Sequence, residues 1–278
     1  MSKPTTARWV RQTLEQVEPP DSCSRNSFDS VGDLDLAPFQ SRAVERALDI
    51  ARRYGGVLLA DSVGLGKTRV ALATARWLAR EDRLSKGART PVWFCVPAKL
   101  RDQWRRSAER AGLDRYRVAS HAELSRGLRD VDRAAPAAVI ADEAHRFRNP
   151  RTNRHSALAS LCRNAPVVLA TATPICNSTF DLYHLLGLFL AECDLRPVVG
   201  RDLKEAFELA EDGEFDLTDV VRRVTIRRTE PPSDGEFGEI PNVDLDLLEY
   251  RADSDEQWIW QNLESALRAT DFVACRNQ

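Results

Sequence analysis

The segment Ala60-Asp61-Ser62-Val63-Gly64-Leu65-Gly66-Lys67-Thr68 has the residue types and spacing to hold a phosphate. Glycines at 64 and 66 let backbone N–H groups turn toward an anion, and a helix opening at Thr68 adds the positive end of its dipole. Lys67 would set its ammonium on the outer phosphates, and Thr68 would offer a hydroxyl to Mg2+. Asp61, Ser62, Val63, Gly64, Leu65 and Gly66 would complete the cradle, although the strict pattern has glycine where this chain has Asp61. A second segment, Val139-Ile140-Ala141-Asp142-Glu143-Ala144-His145, is an apolar run ending in two carboxylates. Phosphoryl transfer to water needs an acid to hold magnesium and a group to orient the water. Asp142 suits the first role and Glu143 the second. Lys67, Asp142 and Glu143 are therefore the candidate catalytic residues, with Thr68 and Asp142 as candidate Mg2+ ligands. A third segment, Val168-Leu169-Ala170-Thr171-Ala172-Thr173-Pro174, ends in small hydroxyl residues and a proline stop. Thr171, Ala172 and Thr173 are placed to relay the state of a phosphate to the rest of the molecule.

Each of these segments needs a strand behind it. Strands are expected at Val57–Ala60, Val92–Val96, Ala137–Ala141 and Val167–Ala170, with a weaker one at Tyr116–Ala119. Helices are expected at Thr68–Ala79, Leu100–Ala111, Asn153–Cys162, Thr179–Leu190 and Arg201–Ala210, and another at Asp253–Ala269 after a loop at Pro231–Gly235. Short apolar runs without alternation are buried on both faces, and their rhythm with helices gives a parallel sheet covered on both sides. The fold class is α/β: a parallel sheet with helices on both faces, carrying a P-loop at a strand end. Residues 1–33, rich in breakers and small polar residues, are expected to be a flexible lead-in.

A net charge of -2 on 278 residues excludes a generally basic, nucleic-acid-coating protein. Any nucleic-acid contact must come from local clusters, such as Arg101, Arg105 and Arg106 or Arg146, Arg148, Arg151 and Arg154. No run reaches the roughly 18 apolar residues of a membrane helix, so no membrane partner is expected. The N-terminal residues mix charges with no signal-peptide core. The six cysteines are scattered without metal-ligand spacing, which points to free thiols and a cytoplasmic protein.

The order of these pieces resembles the N-terminal ATPase lobe of superfamily-two helicases, in particular the Swi/Snf-type double-stranded DNA translocases. Leu36-Ala37-Pro38-Phe39-Gln40-Ser41-Arg42-Ala43-Val44 is similar to the family's opening motif, which implies that Gln40 recognises adenine. Ala60–Thr68 is similar to motif I, where an acid at position 61 is usual. Val96–Leu100 with Gln103-Trp104 resembles motif Ia, a strand-contacting segment that would bring Pro97 and Lys99 to DNA. Ser120-His121 sits in the motif Ib region. Asp142–His145 followed by Arg146-Phe147-Arg148-Asn149 resembles the DEAH form of motif II and its extension. Ala170–Pro174 with Asp181–Leu186 resembles motif III and the helix after it, and Thr225-Ile226-Arg227-Arg228-Thr229 the arginine pair beyond the lobe.

The resemblance implies ATP and Mg2+ as cofactors and ATP hydrolysis coupled to duplex DNA. It also implies DNA contacts at Pro97, Lys99, Arg146, Arg148 and Thr173, and a partner in a second RecA-like lobe, in cis or in trans. It divides the chain into a RecA-like P-loop NTPase lobe at 34–222 and a connector at 223–278. Nothing after Asp253 has the length for a second lobe, so the chain reads as a truncated product, a fragment or a one-lobe protein with a partner. An RNA-directed or restriction-type helicase lobe is the alternative with the same chemistry. A non-hydrolysing ATP-binding interaction module is the alternative from another class.

Overall fold

The computed structural model describes residues 30–31, 34–87, 90–128 and 135–228. A short antiparallel pair, β1 (Ser30–Val31) and β2 (Leu34–Asp35), precedes the sheet. The sheet is built from β3 (Gly56–Leu59), β4 (Val92–Val96), β5 (Tyr116–Ser120), β6 (Ala138–Asp142), β7 (Val167–Ala170) and β8 (Thr225–Ile226). Its order is β5-β4-β6-β7-β3-β8 and every pairing is parallel. β3, β4 and β7 are buried along their whole length, and β6 along all but its last residue. Such strands are stable only where helices cover both faces. Leu58, Leu59, Phe94, Ile140 and Leu169 are fully buried, each contributing about 1.5–3 kcal/mol over an exposed side chain. β5 lies at an edge, and its first three residues stay partly open.

From β3 the chain moves outward to β4 and β5, then returns to insert β6 and β7 between β4 and β3. Right-handed crossovers put the helices of the outward and returning halves on opposite faces. α1 (Pro38–Tyr54) packs on α2 (Lys67–Lys86); α3 (Arg101–Arg110) connects β4 to β5; α4 (His121–Arg126) packs on α5 (Asn153–Cys162). Pro38 opens α1 with its ring-fixed φ, and the Gln40 side chain accepts the Ala37 N–H at 3.2 Å. After β7 come α6 (Thr179–Leu186), α7 (Arg196–Val199), α8 (Leu203–Glu211) and α9 (Thr218–Val224), and then β8. The carboxyl ends of β3, β6 and β7 lie side by side, and in such sheets ligands usually bind in the crevice outside strand ends of this kind.

Strand positions agree with the sequence expectation to within a residue at each end. α2 runs on to Lys86 rather than stopping at Ala79, while α6 ends at Leu186 rather than Leu190. The sheet takes its sixth strand from Thr225–Ile226, past the boundary expected at residue 222. The lead-in at 1–33, but for Ser30 and Val31, lies outside the described residues, as do the loop at Pro231–Gly235 and the helix at Asp253–Ala269. Cys95, Cys162, Cys176 and Cys193 are free thiols, the first two buried; Cys23 and Cys275 lie outside the described residues. No described helix is long and apolar enough to cross a membrane.

Candidate functional site

The loop after β3 turns through two left-handed glycines, Gly64 (φ 92) and Gly66 (φ 80). A Cβ on Gly66 would lie 2.3 Å from the Gln40 amide, so the missing side chain is what admits Gln40 to the loop. Gln40 then donates to the Leu65 carbonyl at 3.2 Å. The crown of the loop, Val63 and Gly64, is open to solvent. Lys67, the first residue of α2, folds its ammonium back onto the loop, donating to the carbonyls of Asp61 at 2.7 Å and Ser62 at 3.0 Å. Burial lowers its pKa; the carboxylates of Asp61, Glu143 and Asp142 act the other way, and the Arg227 charge adds to the lowering. Thr68 sits half-buried in the same first turn. A half-buried ammonium above a loop of turned amides is a fitting receptor for a multiply charged phosphate.

Asp142 ends β6, in register with Ala170 of β7, which in turn is in register with Leu59 of β3. The three loops therefore leave the sheet side by side. Trp104 of α3, itself buried, donates its indole N–H to Asp142 Oδ2 at 3.0 Å, and the Glu143 amide donates to Oδ1 at 3.0 Å. Burial still raises the Asp142 pKa, outweighing both hydrogen bonds. A carboxylate left short of positive charge fits a divalent cation coordinated by oxygen. Glu143 is the one non-glycine residue of positive φ among those described (φ 49, ψ 48), a strained conformation of the kind that collects at functional positions. That turn lifts its half-exposed carboxylate off the strand line. His121, after β5, donates from Nε2 to the Asp142 carbonyl at 3.1 Å, which fixes its tautomer.

His145 joins Glu143 to the third segment. Its Nδ1 lies 3.3 Å from Glu143 Oε2 and 3.1 Å from Thr171 Oγ1. Thr171 is buried and its hydroxyl also accepts the Thr173 N–H at 3.1 Å. Ala172 and Thr173 are partly or fully exposed.

The expected nucleic-acid residues differ in exposure. Lys99, Arg146 and Thr173 are exposed and Pro97 is partly so. Arg148 donates to the His145 carbonyl at 3.1 Å and lies 3.5 Å from Asp181 of α6, so it braces the loop after β6. Trp104, in the segment that resembles motif Ia, is buried and hydrogen-bonded to Asp142. The carboxylate of Asp61 is fully buried and turned away from the loop crown; it pairs with Arg228, so only the Asp61 backbone carbonyl faces Lys67. The sequence gives no local sign that Trp104, His121 and Arg228 support the site, because each contact is made across the fold.

Known proteins resemble this chain over parts of its length. A family model described as the SNF2-related domain matches residues 117–272. A helicase-like transcription factor of Oryctolagus cuniculus is 26% identical over 182 residues, covering 63% of this chain and 18% of that protein. The ATP-dependent helicase YqhH of Bacillus subtilis (strain 168) is 26% identical over 167 residues, covering 54% of this chain and 28% of its own length. Protein CHROMATIN REMODELING 19 of Arabidopsis thaliana is 26% identical over 219 residues, or 65% of this chain and 28% of that protein. The chain thus spans less than a third of these relatives. The Sulfolobus solfataricus SWI2/SNF2 ATPase core, solved in complex with dsDNA, has the same fold, with a TM-score of 0.52 at 20% identity over 72% of this chain and 45% of that one. With more than half its length matched by the family model and a parallel sheet of the RecA-like order, the chain belongs to the SNF2-related, Swi/Snf-type family of ATPase lobes.

Proposed function

We propose that this chain binds Mg-ATP in the crevice above β3, β6 and β7 and serves as one lobe of an ATPase that moves on double-stranded DNA. The observation that supports the reading is the alignment of three strand ends, from which the loops carrying Lys67, Asp142 and Glu143, and Thr171 with its His145 contact, leave the sheet side by side. Lys67 would leave the loop carbonyls for the outer phosphates, and the amides of Val63 to Gly66 would hold the phosphate chain, the Ser62 N–H being taken by the Arg228 carbonyl. Thr68 and Asp142 would hold the magnesium, which neutralises phosphate charge as the terminal phosphoryl group leaves. Glu143 would orient the attacking water, and Gln40, already on the loop, would meet the base. Thr171 would carry the state of Glu143 and His145 to Thr173 at the surface. Lys99, Arg146 and Thr173 would face the DNA, with Pro97 beside them.

The transition state spreads charge over equatorial oxygens, and an arginine from a second RecA-like lobe, in this protein or another, would meet it. Such a residue is typically worth about 10³–10⁵ in rate, so one lobe alone should turn over slowly. The cytoplasm is the compartment we assign. Calorimetric titration of Mg-ATP tests the site. Lys67→Ala should lose charge-assisted hydrogen bonds worth about 1.5–3 kcal/mol, or about ten- to a hundredfold in Kd, in a protein that stays folded. Unchanged affinity would remove Lys67 from the site. Duplex DNA should bind with a steep salt dependence and speed hydrolysis more than RNA does; preference for RNA would reassign the polymer.

A further inference from the structure

Arg228 contacts Asp61 and Phe39 beside the phosphate loop, and the phosphate chemistry uses none of these contacts. It follows β8, whose residues Thr225 and Ile226 pair with Leu58 and Leu59 immediately before the phosphate loop. Its backbone N–H donates to Asp61 Oδ1 at 2.8 Å, its Nε to the same oxygen at 3.1 Å, and its Nη2 to Asp61 Oδ2. Nη1 donates to the Phe39 carbonyl at 2.6 Å, and the guanidinium lies 4.8 Å from the centre of the Phe39 ring. The Arg228 carbonyl accepts the Ser62 N–H at 2.9 Å. One residue thus grips the root of the phosphate loop and, through Phe39, the residue next to Gln40.

Asp61 is fully buried and the Arg228 side chain is 11% exposed. A buried ion pair is not an efficient source of stability, since desolvation offsets most of the attraction and an apolar pair of similar size holds a fold as well. What the pair supplies is geometry, because a planar fork on two carboxylate oxygens fixes direction as well as distance. The same Asp61 whose carboxylate is held by Arg228 presents its carbonyl to Lys67. We propose that Arg228 is a positioning residue for the nucleotide: through Asp61 and Phe39 it holds the phosphate loop and the Gln40 helix in one arrangement. This rests on the Mg-ATP reading above. It gives Asp61 a role reached through Arg228, with its carboxylate out of contact with the nucleotide.

The test uses the full chain, with Arg228→Ala, Asp61→Asn, the double variant and Arg228→Lys. Two readouts are taken: the Kd for Mg-ATP, and amide hydrogen exchange of residues 61–67 without nucleotide. Either single change should raise Kd about tenfold or more, and the double variant should be no worse than the singles, as for two residues acting as a unit. Arg228→Lys should not restore affinity, because an ammonium cannot make the fork or stack on Phe39. Exchange should quicken at 61–67 while β6 stays protected. Faster exchange everywhere, or a lowered Tm with Kd and loop exchange within about twofold of wild type, would reduce the pair to a structural contact and overturn the proposal. Should Arg228→Ala not fold, Arg228→Gln and Phe39→Leu put the same question with less loss of volume. If wild type itself failed to bind Mg-ATP, the proposed function would fall, and the proposal that Arg228 positions the nucleotide would fall with it; loop exchange would still show on its own whether Arg228 holds the phosphate loop.

Discussion

Acid should weaken this molecule through His121, by an amount its surroundings set. The imidazole is buried, packs edge-on against Phe147 with ring centroids 4.8 Å apart, and donates to the Asp142 carbonyl at 3.1 Å. Burial, with smaller contributions from Arg146 and Arg154, pushes its pKa down from 6.5 to about 4, against backbone hydrogen bonds at Cys95 and Asp142 that pull the other way. In the unfolded chain the ring returns to about 6.5. Above that pH neither state is protonated and His121 adds no pH dependence. Between 6.5 and 4 only the unfolded chain takes up the proton, so stability falls as pH falls. Below 4 both states carry it and the loss levels off. Linkage puts the loss between pH 7.5 and 4.5 at about 2.5 kcal/mol. Urea unfolding of wild type and His121→Gln at both pH values isolates it, because every other titrating group is common to the two. The wild type should lose about 2.5 kcal/mol more than the variant over that interval. An equal fall in both would show that His121 is not held neutral by its burial.

Three further changes address the site. Trp104→Phe leaves Asp142 Oδ2 without its indole donor; it should cost about 1–3 kcal/mol in urea unfolding and weaken nucleotide binding more with magnesium than without it. Thr171→Val keeps the volume and removes the hydroxyl between His145 and Thr173, so Mg-ATP affinity should hold while stimulation of hydrolysis by duplex DNA disappears; retained stimulation would exclude a relay through Thr171. Glu143→Asn replaces a residue strained at φ 49 by one that accepts left-handed backbone, so it should gain about 1 kcal/mol in stability and abolish hydrolysis; a loss of stability would mean that the carboxylate contributes more to the fold than its backbone costs.

The parts of the fold that were legible in the sequence are those whose physics is local. β4, β6 and β7 announce themselves because a strand covered on both faces must be apolar at every position. α1 is missing from the expected helices although its signal is local too, with Pro38 at its start, left-handed Gly55 at its end, and buried Ala43, Val44, Ala47, Leu48 and Ala51 at helical spacing between them. β8 carries none. Two residues have no period, and Thr225 and Ile226 become a strand only because β3 offers its free edge. The same holds for the ends of α2 and α6, where propensity alone does not say which turn the neighbouring elements still cover.

At the site the division is sharper. Lys67, Asp142 and Glu143 could be named from the chain because a phosphate loop and an acidic strand end are contiguous, and each needs only its own neighbours to take shape. The groups that hold them in place stand 38, 21 and 167 residues away: Trp104 from Asp142, His121 from the Asp142 carbonyl, and Arg228 from Asp61. Asp61 shows why that distance matters. Its place inside the loop invites a nucleotide contact, yet its carboxylate is fully buried, and a buried carboxylate stays charged only beside a cation and several donors. No residue of the loop can serve, since Lys67 is spent on the Asp61 and Ser62 carbonyls. An arginine from elsewhere in the chain is then required, and the fold brings Arg228 to it along the one strand that joins the sheet last.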